Sequence, residues 1–150
     1  TEFTDKRVLE LGCNMGLLSV YIRKFAGASE VWGVDHDESI LKSASLVADA
    51  FETSARWSVV DLAGDKTAVD ELIAFNSDII TCLNVWNWVP DRTLLSRLLA
   101  SVPEIIFEGH ESTDIETARL RSLGFDEIRL VTTTERRRPL LHARKIMQDR

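Results

Sequence analysis

The chain has 150 residues, 45% of them apolar, which is the size of one ordinary domain and enough to bury a core. A formal charge of -6 argues against a protein that coats nucleic acid or anionic membrane by bulk electrostatics. Cys13 and Cys82 lack paired His or Cys spacing, which points away from zinc or disulfides and toward a reducing, cytoplasmic setting; no apolar run reaches the ~20 residues of a membrane span, and no signal-peptide pattern is read.

Residues Arg7–Leu11 read as a buried strand that turns on Gly12-Cys13-Asn14-Met15-Gly16 into a helix. Leu17, Leu18, Val20, Tyr21, Ile22 and Phe25 recur there at helical spacing until Gly27 stops it. A strand that turns on glycine into a helix leaves backbone N–H groups and bare Cα atoms facing outward, where a ligand can approach closely. Val31-Trp32-Gly33-Val34 is a second strand, ending in Asp35-His36-Asp37-Glu38. Asp37 is placed to cap a helix whose apolar face is Ile40, Leu41, Ala44, Leu46, Val47 and Phe51.

A third strand, 57–60, is closed by Asp61, and a shorter helix follows over 67–75. The fourth strand, 78–83, runs into Asn84-Val85-Trp86-Asn87-Trp88-Val89-Pro90, after which Asp91 begins a helix carrying Leu94, Leu95, Leu98 and Leu99. Strand Glu104–Glu108, a helix over 114–123 stopped by Gly124, and β-rich runs over 127–134 and 139–146 complete the chain. This alternation predicts an α/β fold: a single doubly wound, mostly parallel seven-stranded sheet with helices on both faces. The last two strands are too close for a parallel crossover, which predicts an antiparallel C-terminal strand.

In open parallel sheets ligands sit at the carboxyl ends of the strands, near the point where strand order reverses. Glu10 and the glycine loop follow the first strand, Asp35 ends the second, Asp61 ends the third and Asn84 follows the fourth. The Glu10-x-Gly12-x-x-x-Gly16 pattern lacks the third glycine of the dinucleotide fingerprint, which disfavours NAD. It resembles motif I of the class I S-adenosylmethionine-dependent methyltransferases, and the five βα units with a closing hairpin resemble that family's layout over nearly the whole chain.

The resemblance implies S-adenosylmethionine as cofactor and S-adenosylhomocysteine as product. Asp35 would bind the ribose hydroxyls, His36 would lie beside the adenine, Asp61 would accept from the adenine amino group and Leu62 would pack on the ring. Gly12, Cys13, Asn14 and Gly16 would surround the methionine moiety, with Glu10 ordering the loop or reaching the amino group through water, and Asn84 would complete the cofactor site. His110 is the candidate base, with Glu108 and Glu111 expected to orient it and raise its pKa; His142 is read as structural.

Amino-group methyltransferases of nucleic acids and proteins often carry (Asn/Asp)-Pro-Pro-(Tyr/Phe) after the fourth strand. Here Asn84-Val85-Trp86-Asn87 has neither proline, which leaves O-methylation more open. The favoured acceptor is a small polar metabolite or glycan, with RNA or protein as the alternative and a non-catalytic domain serving a partner module as a third reading. Trp86 and Trp88 are candidates for a substrate pocket, and Arg137 in the turn Arg136-Arg137-Arg138 for gripping a phosphate or carboxylate. Residues 135–150 also carry Arg144, Lys145 and Arg150 against Glu135 and Asp149, for which a solvated final strand is the plain reading. The chain starts at Thr1, so 1–150 is expected to be one methyltransferase domain excised from a longer chain, beside other domains and with no membrane partner.

Overall fold

A computed structural model describes residues 2–146; Asp149 and Arg150 of the basic tail lie outside them. The elements are β1 (Arg7–Leu11), α1 (Leu17–Lys24), β2 (Glu30–Asp35), α2 (Glu38–Ala50), β3 (Arg56–Val59), α3 (Lys66–Ala74), β4 (Ile79–Leu83), α4 (Thr93–Ala100), β5 (Glu104–Glu108), α5 (Thr113–Ser122), β6 (Glu127–Thr133) and β7 (Pro139–Arg144). They form one seven-stranded sheet in the order β3-β2-β1-β4-β5-β7-β6. β1 to β5 pair in parallel, whereas β7 runs antiparallel to both β5 and β6, as the short connection requires.

The order steps outward from β1 to β3 and then restarts on the other side of β1 with β4. β1 and β4 therefore flank the switch point, and the loops after them face one crevice. The central strands read as continuous apolar runs because both of their faces are covered. Leu9, Leu11, Ile80, Cys82, Ile105 and Phe107 point into the larger core, under Leu72 of α3, Leu95, Leu98 and Leu99 of α4 and Leu120 of α5. Val8, Val31 and Ile79 point the other way, with Ile22 of α1.

Helix starts follow capping chemistry. Asp37 Oδ1 accepts from the N–H groups of Ser39 (2.8 Å) and Ile40 (3.4 Å), as expected for α2. Asp91 accepts from Thr93 N at 2.9 Å, so α4 starts at Thr93, two residues after the expected position. The apolar faces of α1 and α2 are narrower than the sequence suggests. Leu17, Tyr21, Phe25, Leu46 and Phe51 are exposed, while Ser19, Val20 and Ile22, and then Leu41, Ala44 and Ala48, face the sheet.

Phe107 is fully buried and meets Trp86 edge-on at 6.3 Å, so it joins the sheet to the loop after β4. Phe107→Ala is expected to cost about 3–5 kcal/mol by leaving a cavity there, read as a lower urea midpoint with unchanged slope.

Candidate cofactor and active site

The glycine loop is shaped by what its glycines leave out. Gly12 has φ +67° and Gly16 φ +72°. A Cβ on Gly12 would come within 2.8 Å of Val85 Cγ2, and one on Gly16 within 2.5 Å of Trp57 Cη2. Conformation and space both demand glycine. Trp57 reaches from β3 across Gly33, where a Cβ would lie 2.5 Å from its ring, and fills the room that Gly33 and Gly16 vacate. Cys13 N–H donates to Val34 O at 3.0 Å, which pins the loop to β2.

Gly16 offers α1 no capping side chain, and Glu10 takes over that task from β1. Its buried carboxylate accepts from the Ser19 hydroxyl and from the Ser19 backbone N–H in the first turn. Burial pushes the Glu10 carboxyl up to about 7; the Ser19 bonds oppose this and the nearby Asp35 charge adds to it. Burial likewise drives the Cys13 thiol far above its ordinary range, helped by Glu10 and Asp35, which removes it as a nucleophile.

In front of this loop lies a cleft of about 640 Å³ at the carboxyl ends of β1 to β4. Gly12, Asn14, Asp35, His36, Asp61, Leu62, Asn84 and Trp88 all border it; Glu10, Cys13 and Gly16 stand behind the loop. Asp35 is held on both oxygens: Oδ2 accepts from Asn14 N at 2.9 Å and Oδ1 from Asp37 N at 3.2 Å. A carboxylate has about four lone-pair positions, so each oxygen keeps one for a ligand. His36 is exposed, with Nδ1 3.2 Å from Asp35 Oδ1, and Asp61 Oδ1 accepts from Ala63 N at 2.9 Å. Val60, Val85 and Val89 supply apolar walls that sequence reading missed, since isolated valines beside a strand end carry no pattern of their own.

The two tryptophans part company. Trp88 borders the cleft and is 76% exposed. Trp86, expected at a substrate pocket, instead packs in the core against Phe107, with the Arg119 guanidinium 4.8 Å from its ring centroid. The 3₁₀ turn over Trp86–Trp88 is what sends the two rings to opposite sides.

The loop after β5 wraps around Glu116, a fully buried carboxylate of α5 that sequence reading passed over. Glu116 Oε1 accepts the N–H groups of His110 (2.8 Å) and Glu111 (2.9 Å), while Arg119 pairs with Oε2. The only sequence signal for this role was an acid in the first turn of a helix, a common feature. His110 itself is half-buried, and its Nδ1 is buried with no partner among the described residues. Its pKa is not raised. Burial, then the Arg138 guanidinium, hold it below the ordinary 6.5, outweighing Glu108, Glu116 and Glu111.

In the β6–β7 turn the residue that faces the site is Arg138, not Arg137. Arg137 is exposed with φ +59°, which turns it out of the hairpin. Arg138 Nη1 donates to Asn84 Oδ1 at 2.6 Å and lies 3.9 Å from Glu108 Oε1. His142 sits at the opposite, amino-terminal end of β5, where its Nδ1 accepts from Arg129 Nε at 3.0 Å and its Nε2 meets Glu104. Glu2 and Glu104 approach it closely enough to hold a metal, but Lys6, Arg129 and Arg144 already occupy those atoms.

No family model matches the chain. A ubiquinone biosynthesis O-methyltransferase of Neisseria meningitidis serogroup C is 31% identical over 104 residues, covering 67% of this chain and 41% of that protein. The chain thus spans about two fifths of the length of the curated relatives it matches first. Among solved structures, a methyltransferase dependent on S-adenosylmethionine from Mesorhizobium loti superposes with TM-score 0.70 at 16% identity, over 97% of this chain and 93% of that one. The N-terminal domain of EvdMO1, solved with S-adenosylhomocysteine and D-fucose, gives TM-score 0.72 at 16% identity, over 93% of this chain and 76% of that one. The fold is that of the class I, Rossmann-like S-adenosylmethionine-dependent methyltransferases, and the sequence is similar to methyltransferases over two thirds of its length. No helix among the described residues is long and apolar enough to cross a membrane.

Two buried carboxylates give testable outcomes. Glu116→Ala strands two loop N–H groups and Arg119 and is expected to cost about 3 kcal/mol or more in urea unfolding, with Glu116→Gln costing less. For Glu10 the folded chain holds a proton that the unfolded chain releases between pH 4.5 and about 7, so stability falls as pH rises through that window. Glu10→Gln is expected to lack this fall, and its stability relative to wild type to rise by roughly 3 kcal/mol across the window.

Proposed function

We propose that the chain binds S-adenosylmethionine in the cleft at the switch point and transfers its methyl group to an oxygen of a small polar acceptor. The observation that carries this reading is the meeting of Asp35, Asp61 and the bare Gly12 backbone around one cleft of about 640 Å³. The residues fit such a cofactor. Asp35 keeps two lone pairs for ribose hydroxyls, with His36 at its side; Asp61 serves the adenine amino group; Leu62 packs on the ring. Gly12 and Asn14 face the amino-acid tail, Asn84 closes the far side, and Glu10, Cys13 and Gly16 hold the loop in shape from behind.

Bound there, the cofactor would supply an electrophilic methyl carbon next to a sulfonium. The chain then has to align an acceptor oxygen and take its proton. His110 suits the second task because burial and Arg138 keep it neutral, and a neutral imidazole can accept. Glu116 holds the backbone on which His110 sits, and Glu108 stands at the same strand end. The prolines missing after Asn84 and the printed name of the Neisseria relative both favour oxygen over nitrogen as acceptor atom. The added length of the relatives supports reading residues 1–150 as one domain among others.

Calorimetry with S-adenosylhomocysteine tests the cofactor site. Asp35→Ala is expected to weaken binding about tenfold or more, and Gly12→Val to abolish it, with melting curves confirming folded protein. Undiminished affinity in both variants would remove the site assignment. His110→Ala is expected to lower kcat about a hundredfold while leaving cofactor affinity intact, and the wild-type acid limb is expected below pH 6.5.

A further inference from the structure

We propose that a second cavity beside the cofactor cleft is the acceptor subsite, that it takes one ring of a neutral sugar, and that Arg138 is its specificity-determining residue. This rests on the cofactor reading above for the direction from which the methyl group arrives. The cavity measures about 350 Å³, at the small end of the roughly 300–1,000 Å³ range of ligand pockets. It is lined by Asn84, Glu108, Thr134, Glu135, Arg136 and Arg138. Asn84 borders both cavities, so an acceptor seated in the second one meets the first across a single side chain.

The lining chemistry selects the ligand class. Arg138 has five N–H donors and spends one on Asn84 Oδ1 at 2.6 Å. Glu108 Oε1 stands 3.9 Å from that guanidinium, beyond hydrogen-bond distance, so its lone pairs stay available. Free donors and free acceptors thus stand side by side. Each hydroxyl of a vicinal diol is both donor and acceptor, and matches that alternation.

Charge narrows the class further, because Glu108 and Glu135 balance Arg136 and Arg138. An anionic acceptor would have to face two carboxylates and a cationic one two guanidinium groups. None of the six lining side chains is aromatic or large and apolar, so a planar aromatic acceptor finds no surface to stack on. Arg138 links the two cavities physically, through Asn84 on one side and Glu108 on the other.

Saturation-transfer NMR separates the possibilities, using D-glucose, D-galactose and D-mannose as neutral probes, with glucose 6-phosphate and catechol as anionic and aromatic competitors. Each is recorded with and without S-adenosylhomocysteine, whose own affinity is measured by calorimetry. At least one neutral hexose is expected to bind in preference to both competitors. That binding is expected to weaken tenfold or more in Arg138→Met and Glu108→Gln, in protein that still melts cooperatively. Preference for glucose 6-phosphate or catechol, hexose binding unaltered in both variants, or no hexose binding at all would overturn the proposal. Hexose binding without any affinity for S-adenosylhomocysteine would instead overturn the cofactor reading and support the polyol subsite.

Discussion

Everything at the candidate site depends on how closely two loops approach across the switch point. β1 and β4 are neighbours, and the chain leaves both at the same end, so the loops after them must share one crevice. Gly12 and Val85 meet there with no room for one further carbon. That contact closes the floor of the cleft, and it ties the fold's central pairing to the shape of the place where a ligand can sit. A bulkier residue at position 12 would have to push the β4 loop away, and with it Asn84, Trp88 and the wall formed by Val85 and Val89.

Two loops at this edge are held from behind by buried carboxylates, and the two are solved differently. Glu116 carries its own counter-ion in Arg119, one turn along the same helix, and spends its other oxygen on two backbone N–H groups. Glu10 has hydrogen bonds from Ser19 but no cation beside it, and Asp35 adds a like charge nearby. Burial without compensation is why one carboxyl titrates near neutrality. The first arrangement fixes the loop after β5, and the second fixes the start of α1.

Much of the architecture was legible in the sequence because its signals are local. Apolar runs closed by acids gave the strand ends at Asp35 and Asp61, and the short link before Pro139 required an antiparallel pair. Asp37 capped the helix it precedes, since capping is decided within three residues. What could not be read depends on relations between distant segments. Tyr21 and Phe25 lie on the apolar spacing of α1, yet α1 packs through Val20 and Ile22, a choice made by the sheet beneath it. Arg137 and Arg138 are indistinguishable as residue types; a left-handed backbone at Arg137 decides which of them turns inward. Trp86 and Trp88 were separated in the same way, by a single turn of 3₁₀ helix.

The two backbone bonds that grip Asp35 bear on the thermodynamics of recognition. A surface carboxylate usually surrenders rotational freedom when a ligand orders it, and that loss is subtracted from affinity. Asp35 has already surrendered it during folding, because Asn14 and Asp37 fix both of its oxygens. Hydroxyl groups arriving at this strand end meet acceptors that do not have to be aligned. The entropic cost of ordering the carboxylate has been moved from the binding event to the folding of the chain, where the packed sheet absorbs it.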